Sequence, residues 1–500
     1  MIRKRLNSSA KRSQSSEETK TFHQLMQVMH ESDDFFEFHL GNMKNISIYY
    51  FESLTNTEKI EANLLDTLKD AEIQDIDVLK NIVPFTQSYV TSDIRQIEEK
   101  LLVGFIALCL NDNTQEILLI PSKFNTDRQI SQPEIEFSVI GPKLAFIEDM
   151  QTNISLIRKR VSLPQLHVKK LNAGKITKTD VAIIYIDGIA NQTNIDTIIQ
   201  RITDIEYDQI IDSSFISQMI SDNSQSPFPQ FMDTERPDRV SSALVEGKIA
   251  IVCEGSPHVL IAPTTLVEFF AAYEDYFLSW HIATAFRLIR IFAVIFSVLV
   301  TPMYVAVLTY HYHIIPGDLL GTLISSRKDI PFPPIIEVLI LELTIELLRE
   351  AGARLPTKIG QTIGIVGGIV IGTAAVEAGL TSNVLLIVVA LAALASFTTP
   401  IYRIGNTIRL IRFPFIFFAQ LWGMIGVVIG IMFFVTHLLR LTSLGRPFLE
   451  PIYPFRWKDF KDTIIRLPFD VQGKRPLLSG AKDKNRINTS RTLKKHDKRK

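Results

Sequence analysis

Two halves of this chain carry different patterns of apolar and polar positions. Up to residue 286, short apolar runs are separated by stretches rich in Asp, Glu, Asn, Gln, Ser and Thr; from Leu288 to Leu439 apolar runs dominate. In the first half, ISIYYFE (46–52), LLVGFIALCL (101–110) and EILLIPS (116–122) read as strands, the last two joined by the polar turn NDNTQ. Thr57–Lys69 has the period of an amphipathic helix. In AFIEDMQTNISLIRKRVSLP, Phe146, Met150, Ile154 and Ile157 recur at helical spacing, and Arg158–Arg160 fall where cations favour the end of a helix dipole. VAIIYIDGI (181–189) reads as a buried strand and Asn194–Ile220 as a helical region. GKIAIVCEGSPHVLIAP reads as a hairpin turning at Gly255–Ser256–Pro257, and the Pro-containing stretch Ser131–Pro142 separates two lobes.

Beyond Leu288 the runs lengthen. Ile291–Thr309 approaches the ~20 residues that a helix needs to cross a bilayer core. Arg287 and Arg290 precede it, which predicts that the front domain stays on the cytoplasmic side. Pro302 predicts a kink, and His311 and His313 read as interfacial. Ile335–Arg349, the glycine-rich stretch after Lys358, Val384–Phe397 and Phe415–Leu439 bring the count to five segments. The last run is either re-entrant, bent at its glycines, or one tilted helix. A cytoplasmic basic tail requires an even number of crossings, and sequence alone leaves the count open.

The expected fold is therefore α+β followed by an α-helical membrane protein: an N-terminal two-lobed mixed α/β cytoplasmic domain, then a multi-pass transmembrane helical domain. Residues 1–40 read as a disordered basic and polar arm, 41–135 as a first α/β lobe and 136–286 as a second. Residues 287–440 form the transmembrane helical domain of four to five segments, and 441–500 a cytoplasmic C-terminal segment with a basic tail. The two lobes read as a platform with no run of repeats.

Composition narrows the function. Basic and acidic residues balance at 53 each, so no nucleic-acid partner is expected, although eleven Lys/Arg lie from Lys474 onward. The first twenty residues lack the apolar core of a cleaved secretory signal. The two cysteines, Cys109 and Cys253, sit in strand-like runs and read as buried free thiols. Gly174-Lys175 lacks the spacing of a phosphate-binding loop, and His258 in a hairpin reads as a packed or surface histidine. No cluster has metal-ligand spacing, so the expectation is no enzyme, no metal and no cofactor.

Two patterns in the hydrophobic half do point to chemistry. Glu342, Glu346 and Glu350 recur every four residues and form one carboxylate stripe on a helix. Ionised groups facing lipid cost several kcal/mol each, so the stripe faces water, another subunit or a pore, or its helix lies in the membrane interface. Gly360, Gly364, Gly368 and Gly372 also recur every four residues, with Gly367 beside them. Such a face admits close backbone approach, as in tight helix packing or the wall of a narrow oligomeric passage.

Three stretches are similar to one family. LPTKIGQTIGIVGGIVIGTAAVEAGLTS (355–382), TERPDRVSSALVEGKIAIVCEGSPHVLIAPT (234–264) and IGPKLAFIEDMQTNISLIRKR (140–160) resemble, in order and spacing, the A subunits of GerA-type spore germination nutrient receptors. Cys253-Glu254 stands where that family leads one to expect an Asp-containing turn. The resemblance implies a multi-pass subunit of the spore inner membrane, surrounded by lipid. Its partners would be a transporter-like B subunit, a lipoprotein C subunit and further copies of itself. It implies an oligomeric, nutrient-gated ion channel whose wall includes Gly360, Gly364, Val366, Gly367, Gly368, Val370 and Gly372. Glu342, Glu346 and Glu350 would supply rings of charge that favour cations. The alternatives are a transporter subunit that moves solute itself and a membrane scaffold for a receptor complex.

Overall fold

The computed structural model describes residues 21–40, 46–56, 75–83, 87–110, 116–122, 132–136, 138–355, 368, 370–457, 459–469 and 472–486. The first lobe holds α1 (Phe22–His30), β1 (Phe35–Leu40), β2 (Ile46–Phe51), α2 (Ile76–Ile82), β3 (Tyr89–Thr91), α3 (Ile94–Leu101), β4 (Phe105–Leu110) and β5 (Ile117–Pro121). Its sheet has the order β1-β2-β4-β5-β3 with every neighbouring pair antiparallel. β4 explains why its sequence reads as an unbroken apolar run. Phe105, Ala107 and Cys109 face the core under α1 and α3, whereas Ile106, Leu108 and Leu110 face the core under α2. Both faces of the strand are dry, so alternation is lost.

The second lobe holds α4 (Met150–Arg160), β6 (Leu166–Ala173), β7 (Thr179–Ile186), α5 (Gln192–Thr203), α6 (Ser213–Met219), β8 (Met232–Thr234), α7 (Pro237–Val245), β9 (Ile249–Cys253) and β10 (Val259–Ala262). Its order is β6-β7-β9-β10-β8, again antiparallel throughout. The two lobes thus share one topology, strand for strand, with a helix before the first strand and another before the fourth-numbered one. The expectation of a platform without repeats is corrected at this level. Repeated topology survives with different side chains because each position need only be apolar and of suitable size.

Three further readings are revised. The arm expected over 1–40 ends earlier, because Phe22, Leu25, Met26 and Met29 form a buried helical face in the first lobe and β1 follows. Residues 1–20, and the helix expected at Thr57–Lys69, lie outside the described residues. Asn194–Ile220 is two helices, because Asp212 caps a new one by accepting from the Ser214 amide. α4 begins after Asp149, which accepts from the Thr152 amide at 2.8 Å.

A buried ion pair joins the lobes. Arg158 of α4 donates from Nε to Asp34 Oδ2 at 2.7 Å and from Nη2 to Ser32 Oγ at 2.9 Å, with its guanidinium 4.3 Å above the Phe51 ring. Ser53 Oγ also donates to Asp34, and the Asp33 amide donates to the Val168 carbonyl at 2.8 Å. Burial pushes the Asp34 carboxyl up, but the charge of Arg158 and these hydrogen bonds outweigh it and hold it below the usual range.

The hydrophobic half forms α8 (Trp280–Tyr310), α9 (Gly317–Arg327), α10 (Pro334–Ala353), α11 (Asn383–Ser396) and α12 (Tyr402–Arg440), with residues 370–377 also helical. Among the described residues, α8 and α12 are the helices long and apolar enough to cross a membrane, with mean hydropathies of 2.5 and 2.1. α8 starts a few turns before the expected run and continues through Pro302.

α12 is a hairpin rather than one tilted rod. Gly423 at φ 60°, ψ −137° breaks the helix and reverses the chain. The two legs then face each other, with the Phe415 and Phe434 rings 6.3 Å apart and those of Phe418 and Phe433 stacked at 6.2 Å. Gly426 lets the returning leg reach the Phe418 carbonyl, where a Cβ has no room. The turn abuts the end of α8: Tyr310 Oη donates to the Gln420 carbonyl at 2.8 Å.

The opposite ends of α12 both rest on the second lobe. Arg403 approaches Asp233 at 3.3 Å, Thr407 Oγ1 donates to the Pro227 carbonyl at 2.6 Å, and His437 Nε2 lies 2.9 Å from Ser226 Oγ. Ile401, Ile404, Ile408 and Leu438 complete the same apolar core as Met150, Val240 and Val252 of the lobe. The chain then forms the small pair β11 (Thr442–Ser443) and β12 (Arg446–Pro447), a short helix α13 (Phe460–Thr463), and packs back on the lobe, where Arg486 pairs with Glu246.

Candidate functional site

The carboxylate stripe of α10 meets a row of arginines. Glu342 and Glu346 face the first leg of α12, which runs antiparallel to α10, so that Arg412 is level with Glu342 and Arg409 with Glu346. Arg412 Nη1 donates to Glu342 Oε2 at 2.6 Å, and Thr301 Oγ1 of α8 donates to the other carboxylate oxygen at 3.1 Å. Arg412 Nη2 also reaches the Ala392 carbonyl of α11 at 3.4 Å. Four helices thus converge on one buried pair, surrounded by Val305, Val338, Val389 and Ile416.

The three carboxylates differ in their surroundings. Glu342 is 2% exposed, Glu346 is partly exposed between Arg349 and Arg409, and Glu350 lies in the open beside Arg354. One face carries all three, as the spacing predicts, but only the last two reach solvent in the single chain. The arginine partners on α12 were visible in sequence as Arg409 and Arg412; matching them to the stripe required knowing that the two helices run antiparallel. A further pair, Arg327 with the fully buried Glu337 at 2.7 Å, ties α9 to the start of α10.

Of the glycine-ladder positions, Gly360, Gly364, Val366 and Gly367 lie outside the described residues. Gly368 and Val370 are exposed, and a Cβ built on Gly368 meets nothing within 4 Å. Gly372 packs toward Leu386 of α11, where a Cβ would sit 3.6 Å from the leucine. The ladder therefore presents a bare surface at Gly368 and a packed one a turn later.

The junction between lobe and helices is the second polar centre. Arg287, in the second turn of α8, donates to Asp275 at 3.1 Å and to the backbone carbonyls of Asp462 and Thr463. Tyr276 Oη donates to Asp462 at 3.1 Å, and burial raises the Asp462 carboxyl despite the charge of Arg287. On the other side, Asp222 accepts from Thr442, Gly445 and Arg201; burial raises it, and these donors bring it below its ordinary value. A cavity of about 390 Å³ opens between Ser221, Asn223, Gln230, Arg403 and Asn406 at the base of α12.

Cys253 is buried with its thiol pushed up to about 12, and Cys109 is buried as well. Among the described residues no group of His, Cys, Asp and Glu could hold a metal ion. His258 Nε2 stands 3.8 Å from Glu235 at the hairpin, and its backbone amide donates to Ser256 Oγ at 3.3 Å. The ion pairs Arg412–Glu342 and Arg327–Glu337 connect helices to one another, and Arg403–Asp233 connects α12 to the lobe.

Over residues 23–478 the chain matches the family described as Bacillus/Clostridium GerA spore germination protein. The chain belongs to this family. Spore germination protein GerQA of Bacillus cereus is 48% identical over 470 residues, covering 94% of each chain. Spore germination protein A1 of Bacillus subtilis (strain 168) is 40% identical over 419 residues, covering 84% of this chain and 87% of the relative. The crystal structure of the N-terminal domain of the A subunit of the Bacillus megaterium spore germinant receptor GerK3 aligns at 28% identity and a TM-score of 0.37, covering 48% of this chain and 92% of that one.

Proposed function

We propose that this chain is the A subunit of a nutrient receptor of the spore inner membrane, and that copies of it assemble into an ion channel gated by nutrient. The observation that carries the reading is the course of the helices. α8 leaves the second lobe and ends at Gly423, and α12 leaves the same lobe, turns at Gly423 and returns to it. The first leg runs about 31 Å, at ~1.5 Å per residue from 402 to 422, its first turns packed into the lobe and the rest rising into the apolar layer.

On this reading the lobes and the tail share the cytoplasmic side. α10 runs back toward the lobe, while α11 is capped by Ser382, whose Oγ lies 3.2 Å from Tyr304 Oη in the outer half of α8. With the tail on the cytoplasmic side, an even number of crossings is required. A transporter-like B subunit and a lipoprotein C subunit are the partners on this reading.

Glu350, Gly368 and Val370, exposed in the single chain, and Glu346, partly exposed between Arg349 and Arg409, support a passage built between copies. The test is nutrient-evoked ion flux in liposomes holding the reconstituted complex. Flux is expected, and its absence with nutrient bound overturns the channel. A reporter fused after Gly473 should be active only on the side of the lobes.

A further inference from the structure

We infer that the C-terminal segment between Ile452 and Phe469 inserts its aromatic side chains into the headgroup layer of the same membrane and holds the second lobe against it. The inference rests on the membrane reading above. Tyr453, Phe455, Trp457 and Phe469 are exposed, Trp457 at 75%, which is unusual for so large an apolar side chain in a segment that is otherwise well anchored. Three rings of the segment cluster: Phe455 lies 5.1 Å from Trp457 and 5.3 Å from Phe460.

The position of the cluster says what covers it. α13 and the residues after it are fastened to the first turns of α8. Arg287 binds the carbonyls of Asp462 and Thr463, Thr284 Oγ1 donates to the Arg466 carbonyl at 3.2 Å, and Arg466 donates back to the Leu278 and Tyr276 carbonyls. Those turns are where α8 begins to present Ile282 and Phe286 outward, so the segment sits at the level where the helix enters lipid. Tyr and Trp prefer that level because a flat apolar ring with a polar edge fits between headgroups and acyl chains. The basic composition from Lys474 onward suits an anionic surface. A lipid surface, continuous with the lipid around α8, is therefore the occupant.

The chain has three tryptophans, at 280, 422 and 457, which allows a direct test. Two full-length variants are reconstituted in vesicles of brominated lipid: Trp280→Phe/Trp422→Phe, leaving Trp457, and Trp280→Phe/Trp457→Phe, leaving Trp422 at the hairpin turn. With bromine near the glycerol, Trp457 emission should fall roughly twofold, and less with bromine near the bilayer centre. Quenching of Trp422 with Trp457 unaffected overturns the inference and leaves the spanning hairpin standing. Failure of both overturns both. Trp457 untouched by bromine but shielded from aqueous iodide on adding a partner subunit makes the patch a protein contact and also overturns it. Fluorotryptophan in the unmutated chain, read against a headgroup-attached spin label, gives the same assignment without substitutions.

Discussion

Arg412 of α12 donates to Glu342 of α10 at 2.6 Å, and both side chains are 2% exposed. Removing one partner of such a pair leaves a bare charge in an apolar bundle, at a cost of about 3–5 kcal/mol. Glu342→Ala should therefore lower the melting temperature of the detergent-purified chain sharply. The double variant Glu342→Leu/Arg412→Met should recover most of the loss, since replacing both charges by apolar groups is close to neutral. Equal stability of Glu342→Ala and the parent would show that the pair does not hold α10 to α12.

Gly423 is the one residue whose backbone permits the hairpin. Its φ of 60° with ψ near −137° is open to glycine, and a Cβ there would lie 2.8 Å from His311 Cε1. Gly423→Val should cost about 1–3 kcal/mol of strain before the clash is counted. The informative readout is labelling of a cysteine placed just after Arg440. If the side from which it is labelled changes, the turn sets topology; an unchanged side and stability would sink the assignment.

Gly368 and Glu346 separate packing within the chain from function between chains. Because a Cβ on Gly368 meets nothing within 4 Å, Gly368→Leu should leave the folded level of a single chain unchanged. Loss of germination at normal protein level would then locate the lost space outside the monomer. Glu346→Lys should turn cation preference toward anions in reconstituted flux, because a ring of carboxylates becomes a ring of ammonium groups. Unaltered selectivity would remove Glu346 from the passage.

The clamp between lobes should respond to acid. Asp34 is held below its usual range in the fold, so its contribution is fully present above the unfolded value of about 3.9 and is lost as pH falls through the folded value. The difference in melting temperature between the parent and Asp34→Asn should be constant from neutral pH to about pH 5 and shrink below about pH 4. A difference that grows in acid would contradict the assignment of charge to Asp34. At neutral pH, Arg158→Leu should destabilise by about 3–5 kcal/mol, seen as faster amide exchange in both lobes.

Much of this architecture was legible in the chain. Apolar strands of the length of β4 and β7, the cap-and-period signature of α4, the division near residue 286 and the common face of Glu342, Glu346 and Glu350 all follow from local chemistry and spacing. Family membership followed from three long stretches in order. These features depend on neighbours within a few residues, which sequence displays directly.

Other features depend on residues far apart in the chain. The periodicity of α1 was masked by the polar, basic run before it, and its role became visible once Phe22, Leu25, Met26 and Met29 had a sheet to cover. The shared topology of the lobes is a property of strand order, which side chains of similar bulk leave unmarked. That Glu342 is buried in a pair with Arg412, Glu346 partly exposed between Arg349 and Arg409, and Glu350 open to solvent depends on which α12 arginine lies level with each carboxylate, and so on the antiparallel run of the two helices. The last apolar run could have been one tilted helix by length alone. Only the tertiary fold decided otherwise, because a left-handed glycine at 423 becomes a turn when Phe415 and Phe434 have each other to pack against.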